Sequence, residues 1–465
     1  MTIWSPDITG KPGPKYRIIA DEIGGAIADG RLDRGARLPP QRDLAYQLGV
    51  SLNTVTRGYG EALRRGLVQG EIGRGTYVRT GDQRSYETIP SAHLVRRETG
   101  PIDFRLNLPS VGRSAEMLSQ TLAELSHSPT LASFLDYQPD GDLDAHAEAG
   151  ATWINRLGMD VSGRNVVLAT GAQHGVMASL MATTRPGDTL FTEQMTYAPL
   201  KQMAHHLSLK LCPVELDEQG LKPDKLDAAC RKTGATTLYC LPTLHTPTTV
   251  TMPEERRRAI ADVARQHGLT IIEDDVFGFL PRYRPPPLAV FAPERTVFIT
   301  SVSKSLAPGL RIGYLHMPET YRRAIRGAIA MSCWMPPPLM AEIASRWIFD
   351  GTADRLNNWQ RDEILARQQI ARHILAGYPF KGDPNGLNLW LPLPAPWRAD
   401  GFRSAAEARG VKLLTAEAFA VGQAPVPHAV RLCLGYEISR HRMTAGMDTI
   451  AELLERTDSP DTLPI

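Results

Sequence analysis

The sequence predicts an α/β protein in two parts: a small winged helix-turn-helix head, then a large domain built on a mostly parallel sheet. Three observations predict it. Residues 12–79 carry three short helical patterns followed by two β-like runs around a glycine-rich tip. From Ile102 onward, short apolar strands alternate with helical segments, the pattern of βα units with parallel strands. At 465 residues, the chain exceeds the capacity of one ordinary core, so two or three domains are expected.

The head is read first. Tyr16–Gly30 predicts a helix, with Ile19, Ile23 and Ile27 at helical spacing and Gly30 as a stop. Leu38–Ala45 predicts a short second helix that Gly49 closes. Ser51 is the expected N-cap of the third, whose apolar stripe is Leu52, Val55, Tyr59 and Leu63. Asn53, Thr54, Arg57 and Arg64 then fall on exposed faces, and Gly66 ends the helix. Leu67–Gly70 and Thr76–Arg79 read as strands flanking Glu71–Gly75. In a winged helix-turn-helix, the third helix enters the major groove of double-stranded DNA.

Charge permits this without requiring it. The whole chain has 52 Lys and Arg against 50 Asp and Glu, while residues 1–79 hold 12 against 8, a local +4. Gly58 and Gly60 are odd residues for a recognition helix, each costing about 1 kcal/mol relative to Ala. Either the helix completes on DNA, or a backbone approaches it closely there.

Three motifs, LPPQRDLA, SLNTV and GRGTYV, occur in order over residues 38–78. With them the head resembles the GntR family of bacterial regulators. The resemblance implies operator contacts from Ser51, Asn53, Thr54 and Arg57, with Arg42 and Arg74 on phosphate or groove. The domain boundaries expected are 1–79 for the head, 80–100 for a polar linker and 101–465 for the second domain. Within the last, longer helices and the strands Leu387–Leu391 and Val430–Leu434 suggest a smaller subdomain from about residue 321.

In the large domain, the candidate strands are Val166–Ala169, Thr189–Thr192, Thr237–Cys240, Thr270–Glu273, Thr296–Thr300 and Ile312–His316. Chemistry collects at their ends. Lys304 follows the fifth, flanked by Ser301 and Ser303, with Arg311 one loop later. A lysine that forms a Schiff base must be desolvated, and small hydroxyls with an arginine suit a phosphate. Gly171, Ala172 and Gln173 open a helix after the first strand, where N–H groups face an anion, although glycine also serves turn geometry there. Tyr197 offers a ring to stack on a flat ligand, or simply core. One carboxylate of Glu273-Asp-Asp275 suits a pyridinium nitrogen. Arg431, a charge inside an apolar strand, needs a partner: a ligand carboxylate or a structural ion pair.

Together these segments, over residues 102–455, resemble fold-type I pyridoxal-phosphate enzymes of the aminotransferase group. Joined to a GntR-type head, the chain resembles the MocR (GabR-like) regulators. The resemblance implies that Lys304 forms the Schiff base with pyridoxal 5'-phosphate and that Asp274 pairs with its pyridine nitrogen. It implies Tyr197 on the ring, and Gly171, Ala172, Gln173, Ser301, Ser303 and Arg311 around the phosphate. Tyr137 matches the tyrosine that reaches the phosphate of the neighbouring subunit in a homodimer, and Arg431 the arginine that holds an effector's carboxylate. The implied function is a transcriptional regulator that senses an amino compound by external aldimine formation at Lys304. An active aminotransferase and a sensor of pyridoxal phosphate itself are the alternatives.

The five cysteines are scattered and form no CxxC pair, and no apolar run reaches membrane-spanning length, so a cytoplasmic protein without a metal or membrane partner is expected. Two residues depart from the family pattern. Thr246 stands where an asparagine donates to the cofactor's phenolic oxygen, and Phe277 where a tyrosine does. Both donors stabilise the phenolate, so their loss implies a Schiff base that keeps its proton into alkaline solution. A pH titration of visible absorbance tests this: the yellow form is expected to persist well above neutrality, and deprotonation near pH 7 contradicts it.

Overall fold

The computed structural model describes residues 4–8, 11, 13–33, 35–65, 67–71, 75–78, 96, 98–137, 144–422 and 426–455. The chain divides into two compact units, Met1–Ser91 with Gln423–Val426, and Ala92–Gly422 with Pro427–Ile465.

In the first unit, α1 (Lys15–Ala28), α2 (Gln41–Leu48) and α3 (Leu52–Arg64) precede an antiparallel hairpin, β1 (Val68–Glu71) and β2 (Gly75–Val78). Gly49 ends α2 in the left-handed conformation at φ 60°, as the sequence predicts. Ser51 caps α3, its hydroxyl accepting from the Thr54 N–H at 3.2 Å. The stripe on α3 differs from the expected one. Leu52 and Leu63 are exposed, and the buried line is Val55, Gly58, Tyr59 and Ala62. Gly58 explains the rotation. A Cβ there would lie 2.9 Å from Ile19 Cγ2 and 3.2 Å from the Tyr16 carbonyl, so the missing side chain lets α1 cross at that point. At Gly60 nothing lies within 4 Å. Of the two readings of these glycines, close approach holds for Gly58, and α3 is continuous without DNA.

The second unit is built on a seven-stranded sheet. Its strands are β3 (Val166–Ala169), β4 (Thr189–Glu193), β5 (Lys210–Val214), β6 (Thr237–Cys240), β7 (Thr270–Asp274), β8 (Thr296–Ser301) and β9 (Gly313–His316). They lie in the order β3-β9-β8-β7-β6-β4-β5, parallel except for β9, which runs against both neighbours. The buried runs of β6, β7 and β8 have no exposed residue, as strands covered on both faces require. Sequence reading missed β5, because Pro213 argues against a strand. The proline is tolerated there because β5 is the edge.

The longest helix, α5 (Thr352–Ile374), passes from one core to another. Its Leu356 packs with Trp153, Phe298 and Trp347, whereas its Ile364 and Ala371 pack with Leu389, Phe402 and Leu432. The change of core therefore falls within α5. It comes later than residue 321, because the helix Glu319–Cys333 packs on α4 (Ala172–Thr183) and the main sheet. The smaller sheet joins β10 (Asn388–Pro392), β11 (Leu414–Thr415) and β12 (Ala429–Cys433) antiparallel, in the order β10-β12-β11. The segment Ile102–Asp103 pairs with Val411–Lys412 of this subdomain, and residues 104–110 then run toward the end of β8. Among the described residues, no helix is long and apolar enough to cross a membrane.

The glycines give a paired test. Gly60→Ala should stabilise the head by about 1 kcal/mol through helix propensity, and Gly58→Val should destabilise it by about 1–3 kcal/mol through overpacking. Native-state hydrogen exchange of the Ile19 and Ile23 amides in the intact chain reads both effects.

Candidate functional site

The carboxylates of Glu273, Asp274 and Asp275 separate because successive side chains on a strand point to opposite faces. Glu273 turns into the core and caps the short helix Leu288–Phe291, accepting from the Leu288 and Ala289 N–H groups at 2.8 and 2.9 Å. Asp275 is held by Arg284. Asp274 takes the opposite face from Glu273. Its Oδ2 accepts from the Tyr239 hydroxyl at 2.7 Å, while its buried Oδ1 has no partner. Burial raises this carboxyl to about 6, with the Tyr239 bond opposing the shift.

A second corner forms where β3 meets α4. Gly171, at φ 79°, is the last residue before the helix, and a Cβ there would lie 2.5 Å from Arg311 Nη2. The first turn of α4 leaves the N–H groups of Ala172 and Gln173 without intrahelical acceptors. Arg311 donates to the Thr170 carbonyl at 3.3 Å, and the Tyr197 hydroxyl to Gln173 Oε1 at 3.0 Å. In the loop after β8, Ser301 is buried and accepts from the Ser303 N–H at 3.3 Å. The hydroxyls of Ser303 and Ser305 are buried without partners.

The third feature is the contact with the segment after the linker. Lys304 Nζ donates to the Asn107 carbonyl and lies 5.7 Å from the centre of the Phe277 ring. Burial lowers its amine to about 8. Arg431 is 6% exposed. It donates to Thr246 Oγ1 at 3.1 Å and to the Arg105 carbonyl, with the Phe419 ring 4.6 Å away. Its Nε has no partner, and among the described residues no carboxylate lies within ion-pair distance. The structural ion pair considered for Arg431 is therefore absent there.

Most of the expected site residues thus share one end of the sheet. Tyr137 does not join them through any contact within its own chain: it is 73% exposed, with its ring edge on Trp334 at 5.8 Å. Sequence reading missed Tyr239, Asn107, Ser305 and Phe419. Only Ser305 had a local signal, as a third serine around Lys304. On the head, Arg42, Ser51, Asn53 and Arg57 are exposed and Thr54 is half-buried. The Arg57 guanidinium lies 4.2 Å over the Tyr16 ring. Ser51 is engaged as the cap of α3, its hydroxyl 2.8 Å from Thr54 Oγ1. Arg74 lies outside the described residues.

Comparison with known proteins agrees with both units. Residues 114–450 match the aminotransferase class I and II family, and residues 15–78 match the bacterial regulatory proteins of the gntR family. The uncharacterized HTH-type transcriptional regulator YdeF of Bacillus subtilis is 31% identical over 97% of each chain. The vitamin B6 salvage pathway transcriptional repressor PtsJ of Salmonella typhimurium is 28% identical over 90% of this chain and 93% of its own. Among solved structures, an archaeal alanine:glyoxylate aminotransferase superposes with a TM-score of 0.70 at 21% identity. It covers 77% of this chain and 91% of its own. That likeness establishes the fold.

The residues fit the pyridoxal 5'-phosphate that this fold implies. The orphaned Asp274 Oδ1 asks for a donor such as a pyridinium N–H, and the orphaned serine hydroxyls and first-turn amides ask for an anion. The desolvated amine is suited to condensation with an aldehyde. In cofactor-free protein, Lys304 should gain reactivity toward acetic anhydride as pH rises through about 8, against about 10.4 for an unburied lysine. Competitive labelling with peptide mapping measures the midpoint, and a value above 10 contradicts it.

Proposed function

The chain belongs to the aminotransferase class I and II family and carries a gntR-family head, and on that premise we propose that it is a transcriptional regulator of the MocR type whose effector is an amino compound bearing a carboxylate. The observation that carries this reading is Arg431: a buried guanidinium satisfied only by neutral oxygens, with one nitrogen free, in the same site as Lys304. A buried cation without an anion is costly, and a carboxylate is its natural complement through paired hydrogen bonds.

Pyridoxal phosphate, when bound, supplies an aldehyde carbon for which the Lys304 amine and an amino compound compete. Asp274 would hold its ring nitrogen and Tyr197 its ring face, while Gly171, Ala172, Gln173, Ser301, Ser303 and Arg311 would hold its phosphate. Thr246 contributes by orienting Arg431. Tyr137 is free to reach a neighbouring subunit in a homodimer, which would present two heads to two half-sites.

The segment of residues 104–110 carries the signal in this proposal. It lies between the linker and the domain core, and its carbonyls at Arg105 and Asn107 accept from Arg431 and from free Lys304. A ligand carboxylate on Arg431 competes with the Arg105 carbonyl. A Lys304 amine freed by the ligand has the Asn107 carbonyl in reach. Occupancy thereby moves the grip on this segment by two residues. Each bond to a charged group contributes about 1.5–3 kcal/mol. Switching from 1:99 to 99:1 requires about 5.5 kcal/mol, so this exchange supplies a substantial part and rearrangement of the dimer the remainder.

On DNA, Asn53, Thr54 and Arg57 of α3 would read the groove, with Arg42 on phosphate and Ser51 fixing the start of the helix. The likeness to PtsJ favours a second reading, in which pyridoxal phosphate is itself the signal.

One experiment separates the readings. The protein loaded with cofactor is titrated with α-amino acids, γ-aminobutyrate and taurine while visible absorbance and affinity for an in vitro selected operator are followed together. An amino acid should change both, and Arg431→Met should weaken that response by roughly 10- to 100-fold, as loss of a charged hydrogen-bonded pair implies. A change in operator affinity on adding pyridoxal phosphate alone selects the second reading, and turnover with a keto acid selects an aminotransferase. Arg57→Ala should weaken operator binding without altering the spectrum.

A further inference from the structure

Away from the cofactor corner, a cavity of about 310 Å³ lies between the loop that follows Asp275 and the N-terminal half of α5. The helix contributes Asp354, Asn357, Asn358 and Arg361, the i, i+3, i+4, i+7 positions of a single face. The loop contributes Phe279, Arg282 and Arg284, and Arg156 closes one side. Four guanidinium groups are thus gathered in one place, and three carboxylates meet them. Arg156 pairs with Asp354 at 3.0 Å and Arg282 with Asp362 at 2.6 Å, both acids being at least half exposed. Arg284 pairs with the buried Asp275. Arg361 has no carboxylate within ion-pair distance among the described residues. It donates instead to the carbonyls of Phe279, Leu280 and Pro281 and to Asn358. One positive charge is left over.

Two buried atoms in this lining are unsatisfied. Arg284, with a side chain only 8% exposed, leaves Nη2 without an acceptor, and Asn357 leaves Oδ1 without a donor. The amide of Asn357 cannot be turned round to change this. Its Nδ2 is committed to the Phe279 carbonyl at 3.0 Å, so Oδ1 must face the cavity as an acceptor. A ligand that satisfies both atoms needs negative charge, acceptor oxygens and a hydroxyl donor. Hydrogen phosphate has all three. Sulfate and the dianion of a phosphate monoester lack the donor.

We propose that this cavity is a binding site for inorganic phosphate, held by Arg284 and Asn357 within the field of Arg282 and Arg361. The site is separate from the one that binds the cofactor. Its ligand bears on function through Arg284, which also holds Asp275, the neighbour of Asp274. It also bears on the spacing of α5, the helix that passes between the two cores.

The test is calorimetric titration of sodium phosphate into the full chain loaded with pyridoxal phosphate, at constant ionic strength and pH 7. Loading keeps the cofactor's own phosphate position filled. One saturable site per chain is expected, with sulfate and glycerol 2-phosphate binding at least 10-fold more weakly. Asn357→Asp should abolish phosphate binding. Arg282→Gln, at a half-exposed position that leaves the buried contacts intact, should weaken it several-fold. Absence of saturable heat, equal binding of sulfate, or unchanged binding in the Arg282 variant overturns the proposal.

Discussion

A carboxylate, an amine and a guanidinium are withdrawn from water at one end of a parallel sheet without forming ion pairs among themselves. Asp274 leaves one oxygen bare, Lys304 rests on a backbone carbonyl, and Arg431 is met by neutral oxygens. Burial of each is unfavourable. The fold supplies the necessary rigidity. Neighbouring strands fix β7 and β8 in register, so the ends that carry Asp274 and Lys304 cannot move apart. The site is therefore prepared for ligands of complementary charge, and much of the second unit serves to keep it so.

The same preparation explains why a regulator can be built on this fold. The two cationic groups that meet a ligand also hold the segment of residues 104–110. A ligand that engages them necessarily alters what that segment touches. No separate relay is required, because one set of donors serves both partners. The differential contacts that a switch needs arise from competition between ligand oxygens and two backbone carbonyls.

Much of this was legible in the sequence, for identifiable reasons. The alternation of apolar strands and helices marked the sheet, and the short motifs of the head and around Lys304 marked both sites. The failures were equally specific. Leu52 and Leu63 looked buried because helical periodicity says only that a stripe exists. Which stripe is covered depends on where α1 crosses, and Gly58 decided that. The strand Lys210–Val214 was hidden by a proline that only an edge position allows.

The sequence by itself determined the head, the parallel sheet and the residue types of the cofactor corner, because these depend on local periodicity and on motifs whose chemistry is carried by neighbours in the chain. Tertiary structure decided which of three consecutive carboxylates faces the cavity, that Arg431 lacks an anion, and that Asn107 and Arg105 accept from the two cations. It also brought a face of α5 against the loop after Asp275, leaving Arg284 and Asn357 unsatisfied together. Those facts concern partners far apart in the chain. Whether a buried polar atom is satisfied depends on what folding brings beside it, which no local pattern records.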